Sequence, residues 1–409
     1  MNLIASPLLP TLDQGLQTYR AHGGYKALEV ARSDLAGVQA ILMQTSLTGL
    51  GGARFPFSKK LQLALQSAAP RVVVCNAAED EPGSRKDRTL LERNPHLVLE
   101  GALLAATAIG ANLVFFYVSE TLTEALESIE RALVELFRED SLLDDLELRV
   151  CKAPTAYVAG EASAAIQAIE GREAKPVLQP PYPTESGVSG RPTLVSNCET
   201  LANLPRIVTL GMQGANEGSA FSRLTTVSGD VALPGVYEIL ADETTFADLI
   251  ELAGGIAGPS TRLKAIQPGG PSSAYLPASA INVLLTDSAI RAAGSQPGCL
   301  AVRVLSEARC LVEEVADLTA FFAREQCGQC PGCRMKTQAY SKSIQQIQGG
   351  NGKWSMLDQL SLVDEFVADM PSLCALISMP TQPVMSAIAL FRHDFEDHIE
   401  RSACGVSQV

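Results

Sequence analysis

The sequence predicts an α/β chain: a Rossmann-like domain, then a small β-grasp module, then a four-helix bundle. Three observations carry this. Apolar runs at residues 71–76 (Arg-Val-Val-Val-Cys-Asn) and 113–118 (Leu-Val-Phe-Phe-Tyr-Val) flank a Leu- and Ala-rich helical pattern from Leu97 to Ile109. Strand, helix and strand at that spacing make a parallel βαβ unit, whose ligands sit at the strand ends. From Leu224 the texture changes to two short strands, Thr226–Val231 and Gly235–Ile239, around a Pro-Gly turn. A helix then runs from Thr245 to Ala253 and is ended by Gly254 and Gly255.

The third observation is helical periodicity after Cys310. Leu311, Val315, Leu318 and Phe322 share a face, as do Met356, Leu360, Val363 and Val367, and then Val384, Ile388, Phe391, Phe395 and Ile399. A weaker stretch from Tyr340 to Ile347 supplies the fourth helix. These changes of texture place three domains at residues 1–220, 221–305 and 306–409. A Pro-rich stretch from Pro176 to Pro192 interrupts regular structure and is expected to wrap the surface.

Composition narrows the function classes. The chain has 409 residues, 46 % hydrophobic and 19 % charged, enough for buried cores. Its net charge of −13 argues against a nucleic-acid partner, since a phosphate-binding surface is basic. No apolar run reaches the ~18 residues of a membrane span. Residues Met1 to Ser6 lack the basic and apolar regions of a signal peptide, so the expectation is a cytoplasmic chain without membrane insertion.

The ten cysteines therefore read as metal ligands and buried thiols rather than disulfides. Cys327, Cys330 and Cys333 form a CxxCxxC run, and Cys374 follows from a separate segment. Three thiolates converge from one short turn, and a distant fourth completes a [4Fe–4S] ligand set. Pro331 and Gly332 are expected to keep that backbone turning rather than helical. Zinc is the rival, but its structural sites usually pair two CxxC motifs, or one with a His pair, and no His lies near this run. Cys75, Cys151, Cys198, Cys299, Cys310 and Cys404 have no tight spacing and read as small buried hydrophobes.

Two further segments carry ligand chemistry. Gly49-Leu-Gly-Gly-Ala-Arg-Phe-Pro56, followed by Lys59 and Lys60, suits a phosphate, because glycines admit close backbone approach and lysine supplies countercharge. It lacks the ending of a Walker loop, and a plain turn with solvated lysines is the alternative. Asn76-Ala-Ala-Glu-Asp-Glu-Pro-Gly83 follows the first strand, where an α/β sheet places its ligand. Carboxylates there suit ribityl or ribose hydroxyls; a solvated charged turn is the alternative.

In this order the segments resemble the flavin-bearing, NADH-oxidising subunit of respiratory complex I and its relatives in formate dehydrogenases and bidirectional hydrogenases. The resemblance runs from about residue 45 to 400. It rests on Gly49-x-Gly-Gly-Ala-x-Phe-Pro56, Cys75-Asn-Ala-x-Glu-x-Glu-Pro-Gly83, Lys86-Asp-Arg88, Tyr157-x-x-Gly-Glu161 and Glu170-Gly-Arg172. Gly190-Arg-Pro-Thr193, Asn197-x-Glu-Thr-Leu-Ala-Asn203, Ser228-Gly-Asp230 and the four cysteines complete it. The glycine wording is also similar to the flavin and iron–sulfur subunit of Rnf-type complexes, whereas Lys86-Asp-Arg88 and Asn197 to Asn203 favour the complex I branch.

The resemblance implies FMN in the first domain, a soluble-ligand-binding β-grasp (SLBB) module next, and a helical bundle with a [4Fe–4S] cluster. It implies that Gly49, Gly51, Gly52 and Lys60 hold the FMN phosphate. Asn76, Glu79, Tyr157, Gly160, Glu161, Asn197 and Thr200 line the ribityl chain and ring, and Phe55 and Glu81 face NAD(H) or NADP(H). Cys327, Cys330, Cys333 and Cys374 ligate the cluster. No side-chain acid or base is assigned, because hydride transfer needs none. Partners are further subunits of an electron-transfer complex, including a [2Fe–2S] thioredoxin-like subunit and another iron–sulfur subunit.

The chain departs from the family pattern at named positions. Leu50 replaces Arg, Arg54 replaces Gly, and Phe57 and Ser58 replace Thr-Gly. Ala162 replaces the second Glu of Gly-Glu-Glu, Ala78 an acidic residue, Ser196 an Asn, and Gln179 a basic residue before the Pro-Pro pair. Ala162 and Gln179 fall where the family grips NADH, so altered nucleotide preference is expected. The alternatives are a relay whose nucleotide site has degraded, and a structural subunit with no substrate of its own.

Overall fold

The structure, a computed structural model, describes residues 8–10, 15–139, 146–214, 222–258 and 260–406. It divides into two compact units. The first comprises Met1–Asp80, Ser84–Thr225 and Val236–Ala241; the second comprises Glu81–Gly83, Thr226–Gly235 and Asp242–Val409.

The first unit is built on a parallel sheet of β1 (Arg71–Ala77), β2 (Ala111–Ser119), β3 (Glu147–Ala153) and β4 (Thr193–Asn197), ordered β3-β2-β1-β4. β1 and β2 are buried almost throughout, which is why they read as continuous apolar runs. β3 is a half-exposed edge strand with charged residues, and β4 has five residues directly after Pro192. Neither yields the long apolar run that marked the central pair.

The Pro95–Ile109 helix connects β1 to β2 and is buried on nearly every face. Gly101 makes this possible: a Cβ there would stand 2.0 Å from the Leu201 carbonyl oxygen on the Cys198–Ala202 helix. The helix also buries Glu100, whose carboxylate accepts from the Tyr19 hydroxyl at 2.5 Å and the Tyr25 amide at 2.8 Å. Because β2 lies on one side of β1 and β4 on the other, the chain reverses direction across the sheet between β1 and β4. Open α/β sheets bind ligands at the carboxyl ends of strands at such a reversal.

A second sheet contains β5 (Ser222–Gly229), β6 (Gly235–Leu240), β7 (Leu263–Gln267), β8 (Leu276–Pro277) and β9 (Ala301–Ser306), ordered β6-β5-β9-β7-β8. In the second unit β5 runs parallel to β9 from Thr226, and β7 is antiparallel to β9. The helix expected from Thr245 forms over Phe246–Leu252. Thr245 caps it reciprocally with Asp248, and Gly254 and Gly255 end it at φ 78° and 82°.

The helical region differs from expectation in two places. The weak stretch around Tyr340 is the middle of an 18-residue helix, Pro331–Gln348. Cys330 is its N-cap, and Pro331, Gly332 and Cys333 are its first turn, not a continued irregular loop. Proline is favoured there because its missing N–H has no intrahelical partner. The last expected helix is broken at Phe391, whose φ of −126° ends Thr381–Leu390 before Arg392–Glu400 begins. With Leu311–Glu325 and Trp354–Val367, the described residues after Cys310 hold five α-helices rather than four.

Candidate flavin and iron–sulfur sites

At the reversal point Asn76 on β1 and Asn197 on β4 are register partners at the carboxyl ends of their strands. The Asn76 Nδ2 donates to the Gly160 carbonyl at 2.9 Å, and its Oδ1 accepts from the Ala78 amide at 3.0 Å. One asparagine thereby ties the end of β1 to the turn Tyr157–Gly160. Asn197 accepts from the Glu199 amide, donates to Asp87 Oδ2 at 2.6 Å and lies 3.3 Å from the Lys86 ammonium.

The glycine loop is closed by a bridge between Thr48 and Pro56, with the Gly49 amide donating to the Phe55 carbonyl at 2.8 Å. Its tip reaches β4: the Leu50 amide donates to Thr200 Oγ1 at 2.8 Å, and a Cβ on Gly51 would stand 3.1 Å from that of Asn197. Gly52 has φ 115° and open space where a Cβ would be, leaving its backbone accessible. Arg54 adopts φ 56°, a left-handed conformation that a glycine holds without strain. Lys60, on the Phe57–Gln66 helix, donates from Nζ to the Val195 carbonyl at 2.7 Å, and burial lowers its pKa to about 8. Phe55 is exposed.

Two of the acids are occupied by the backbone. Glu79 Oε1 accepts from Ser84 Oγ at 2.6 Å and the Asp87 amide at 3.1 Å, and its Oε2 accepts from the Arg88 amide at 2.9 Å, so it caps the Lys86–Arg93 helix. Burial raises its pKa. Glu161 caps the Ala162–Ile169 helix, with Oε2 accepting from the Ser163 and Ala164 amides. Their carboxylates shape the site by placing its loops. Glu81 belongs to the second unit, where Gly270 makes room for it: a Cβ on that glycine would stand 2.5 Å from Glu81 Oε1. Phe55 and Glu81 are thus held by different units.

A buried ionic cluster at this point had no role in the sequence reading. Lys86 Nζ meets Asp87 Oδ1 at 2.5 Å and Glu199 Oε2 at 2.9 Å, all three side chains being nearly inaccessible. Burial opposes the Lys86 charge, but Asp87 and Glu199 outweigh it and raise the pKa. Glu199 Oε1 also accepts from the Leu224 amide. The signal was present in Lys86-Asp-Arg88 and in the Glu of Asn197-x-Glu; only the fold shows that they meet. A cleft of about 520 Å³, lined by residues including Asn112, Phe115, Glu147, Arg149, Arg172 and Arg191, opens near the starts of β2 and β3 instead.

In the second unit none of the four expected cluster cysteines is in a disulfide; Cys330 and Cys333 are buried, Cys327 and Cys374 partly so. Burial pushes Cys333 up to about 12, and the nearness of Cys374, Cys330 and Cys327 adds to it. Close approach explains how Cys374 reaches the run. A Cβ on Gly332 would lie 2.8 Å from Met370 Sδ, and the Leu373 amide points at Cys330 Sγ at 3.4 Å. One turn on, Lys336 reaches Asp364 and Thr381, each at 2.6 Å, joining three helices.

Four cysteines, three from one short run and the fourth from a separate segment, form an all-thiol donor set. A cubane presents a separate iron to each thiolate, and this set fits it. The glycine tip, the two asparagines and Lys60 likewise fit a phosphorylated ligand at the sheet's reversal point. No helix among the described residues is long and apolar enough to cross a membrane.

Family models match in the same order. Residues 42–206 match the Nuo51 FMN-binding domain, residues 224–274 the SLBB domain, and residues 313–398 the NADH-ubiquinone oxidoreductase-F iron-sulfur binding region. The fold and these matches are those of a flavin- and iron–sulfur-dependent electron-entry subunit, a dehydrogenase component of a larger complex. An NADH-quinone oxidoreductase F subunit of Rhizobium meliloti (strain 1021) is 32 % identical over 404 residues, covering 95 % of each chain. The corresponding F subunit of Escherichia coli (strain K12) is 33 % identical over 402 residues, covering 94 % of this chain and 90 % of that one. A chain of the NAD+-reducing [NiFe]-hydrogenase in the H2-reduced state superposes with a TM-score of 0.83 at 31 % identity, covering 95 % of this chain and 67 % of the other. The protein belongs to the family of NADH-quinone oxidoreductase F subunits.

Proposed function

We propose that this subunit takes a hydride from NADH or NADPH and delivers the electrons to a partner subunit. The observation that supports this best is the pairing of Asn76 with Asn197 at the sheet's reversal point, under the tip of the glycine loop. FMN, held there, supplies the conversion from two-electron to one-electron chemistry. Gly49, Gly51, Gly52 and Lys60 hold its phosphate, Gly52 through its open backbone and Lys60 through a proton beyond the one given to Val195. Asn76, Tyr157, Gly160, Asn197 and Thr200 line the rest, and Glu79 and Glu161 hold the bordering loops. Phe55, exposed on the glycine loop, faces the nucleotide. Cys327, Cys330, Cys333 and Cys374 ligate the cluster, and the Leu373 amide tunes it through Cys330.

The reading extends to three domains at residues 1–220, 221–305 and 306–409, to a [2Fe–2S] thioredoxin-like subunit and a further iron–sulfur subunit as acceptors, and to the cytoplasmic face of a membrane complex. Nucleotide choice is relaxed toward NADPH, because Ala162 removes a carboxylate that would repel a 2′-phosphate. Arg54 adds a permanently charged donor fork. Anaerobic stopped-flow reduction of the flavin by each nucleotide tests it: reduction by NADH and a measurable rate with NADPH are expected. A flavin that neither nucleotide bleaches overturns the function, and strict NADH specificity overturns the relaxed preference.

A further inference from the structure

Cys310, His398 and Cys404 come together outside both sites, with their three donor atoms within 4.8 Å of one another. Cys310 is the N-cap of the Leu311–Glu325 helix, and His398 lies on the Arg392–Glu400 helix. Cys404 is on the segment that follows it. Ser402, at φ 52°, turns that segment back, its hydroxyl donating to the Gly350 carbonyl at 3.0 Å. Gly405 then passes so close to Asp397 that a Cβ would lie 1.7 Å from Oδ2.

The histidine is oriented as a ligand. Its Nδ1 faces the Gln348 carbonyl at 3.2 Å, and a carbonyl only accepts, so Nδ1 carries the proton. Gln348 ends the Pro331–Gln348 helix, where carbonyls lack intrahelical partners. Nε2 is left with a lone pair, aimed at Cys310 Sγ 3.3 Å away. A backbone carbonyl on one imidazole nitrogen and a soft donor beside the other is the outer support usual for a metal-binding histidine. Bonds of about 2.3 Å to sulfur and about 2.05 Å to nitrogen place tetrahedral ligands about 3.5–3.8 Å apart, so small shifts close the set.

We propose that Cys310, His398 and Cys404 bind one Zn2+ that clamps the C-terminal segment onto the helical region, with solvent as fourth ligand. Two thiolates and one imidazole form a soft donor set that suits this ion. Binding releases the two thiol protons to solvent, and two thiolates neutralise the ion, so the half-buried site holds no net charge. Cys404 is partly exposed, which leaves the solvent position open.

The test uses the full chain, loaded anaerobically with its iron–sulfur cluster and exposed to Zn2+ under reducing conditions. Metal analysis should find one zinc per chain beyond the iron, and zinc-edge absorption should show two sulfurs and one nitrogen. Cys404→Ser should weaken zinc binding roughly a hundredfold or more without loss of iron, sulfide or flavin, and Cys404→His should restore it. Zinc that never binds, zinc retained by Cys404→Ser, or a Cys310–Cys404 disulfide in protein isolated without thiols would each overturn the proposal. Iron and sulfide that stay at full content keep this result separate from the cluster reading.

Discussion

Lys60 has a structural role, through its bond to the Val195 carbonyl, beside the phosphate-holding role proposed for it. Burial lowers its pKa from 10.5 to about 8. Between those values the unfolded chain holds a proton that the folded chain has lost, so this residue makes stability rise with pH across that window. Anion binding runs the other way, since only the charged ammonium attracts phosphate. FMN affinity should be flat below about pH 8 and fall above it, and a titration of fluorescence quenching measures this. Lys60→Arg should abolish the fall, and Lys60→Ala should release most of the flavin at every pH. Ala162→Glu addresses the nucleotide. Restoring a carboxylate should lower the NADPH rate relative to NADH about tenfold, since one close like-charge contact costs about 1–2 kcal/mol at a partly screened site. An unchanged ratio in stopped-flow reduction would show that residue 162 does not read the 2′ position.

Among the elements, close packing decides which side chains reach the sites. Gly101 lets the Pro95–Ile109 helix lie directly against Leu201, one residue from Thr200. Gly101→Ala should destabilise the unit by about 1–3 kcal/mol, as overpacking does, and lower flavin retention through displacement of Thr200 and Asn197. Thermal unfolding and flavin content read the two effects. In the second unit Asp230 has a comparable structural role. Burial opposes its charge, but Arg309 and Ser306 outweigh that and hold its pKa below the ordinary value. Gly229 meets the Val304 carbonyl so closely that no Cβ fits. The Ser228-Gly-Asp230 motif is thus a packing device between β5, β9 and the loop to Arg309.

For the whole molecule, a cluster held by the proposed ligands would link separate stretches of chain, so its loss should extend past the metal. Anaerobically purified protein should carry about four irons with matching sulfide, and Cys330→Ala should lose most of both. The same variant should loosen the Leu373–Cys330 contact and make the segment around Cys374 sensitive to protease, while the first unit keeps its flavin. One equivalent of zinc with no sulfide at these four cysteines would refute the cluster.

By itself the sequence determined what is local. The CxxCxxC spacing sets how many thiolates one turn presents, the glycine loop sets how closely a backbone can approach an anion, and apolar runs mark the buried β1 and β2. It misjudged the start of the Pro331–Gln348 helix and the break at Phe391, because apolar spacing reports which face is buried but is blind to a kink that keeps that face in register. It read Cys310 and Cys404 as small buried hydrophobes, and their spacing gives no sign that His398 lies beside them. Only the tertiary structure brought Asn76 beside Asn197, turned Glu79 and Glu161 into helix caps, closed Lys86 between Asp87 and Glu199, and set His398 against two thiols. Most of these contacts join residues far apart in the chain, and periodicity within one element carries no information about which distant element will face it.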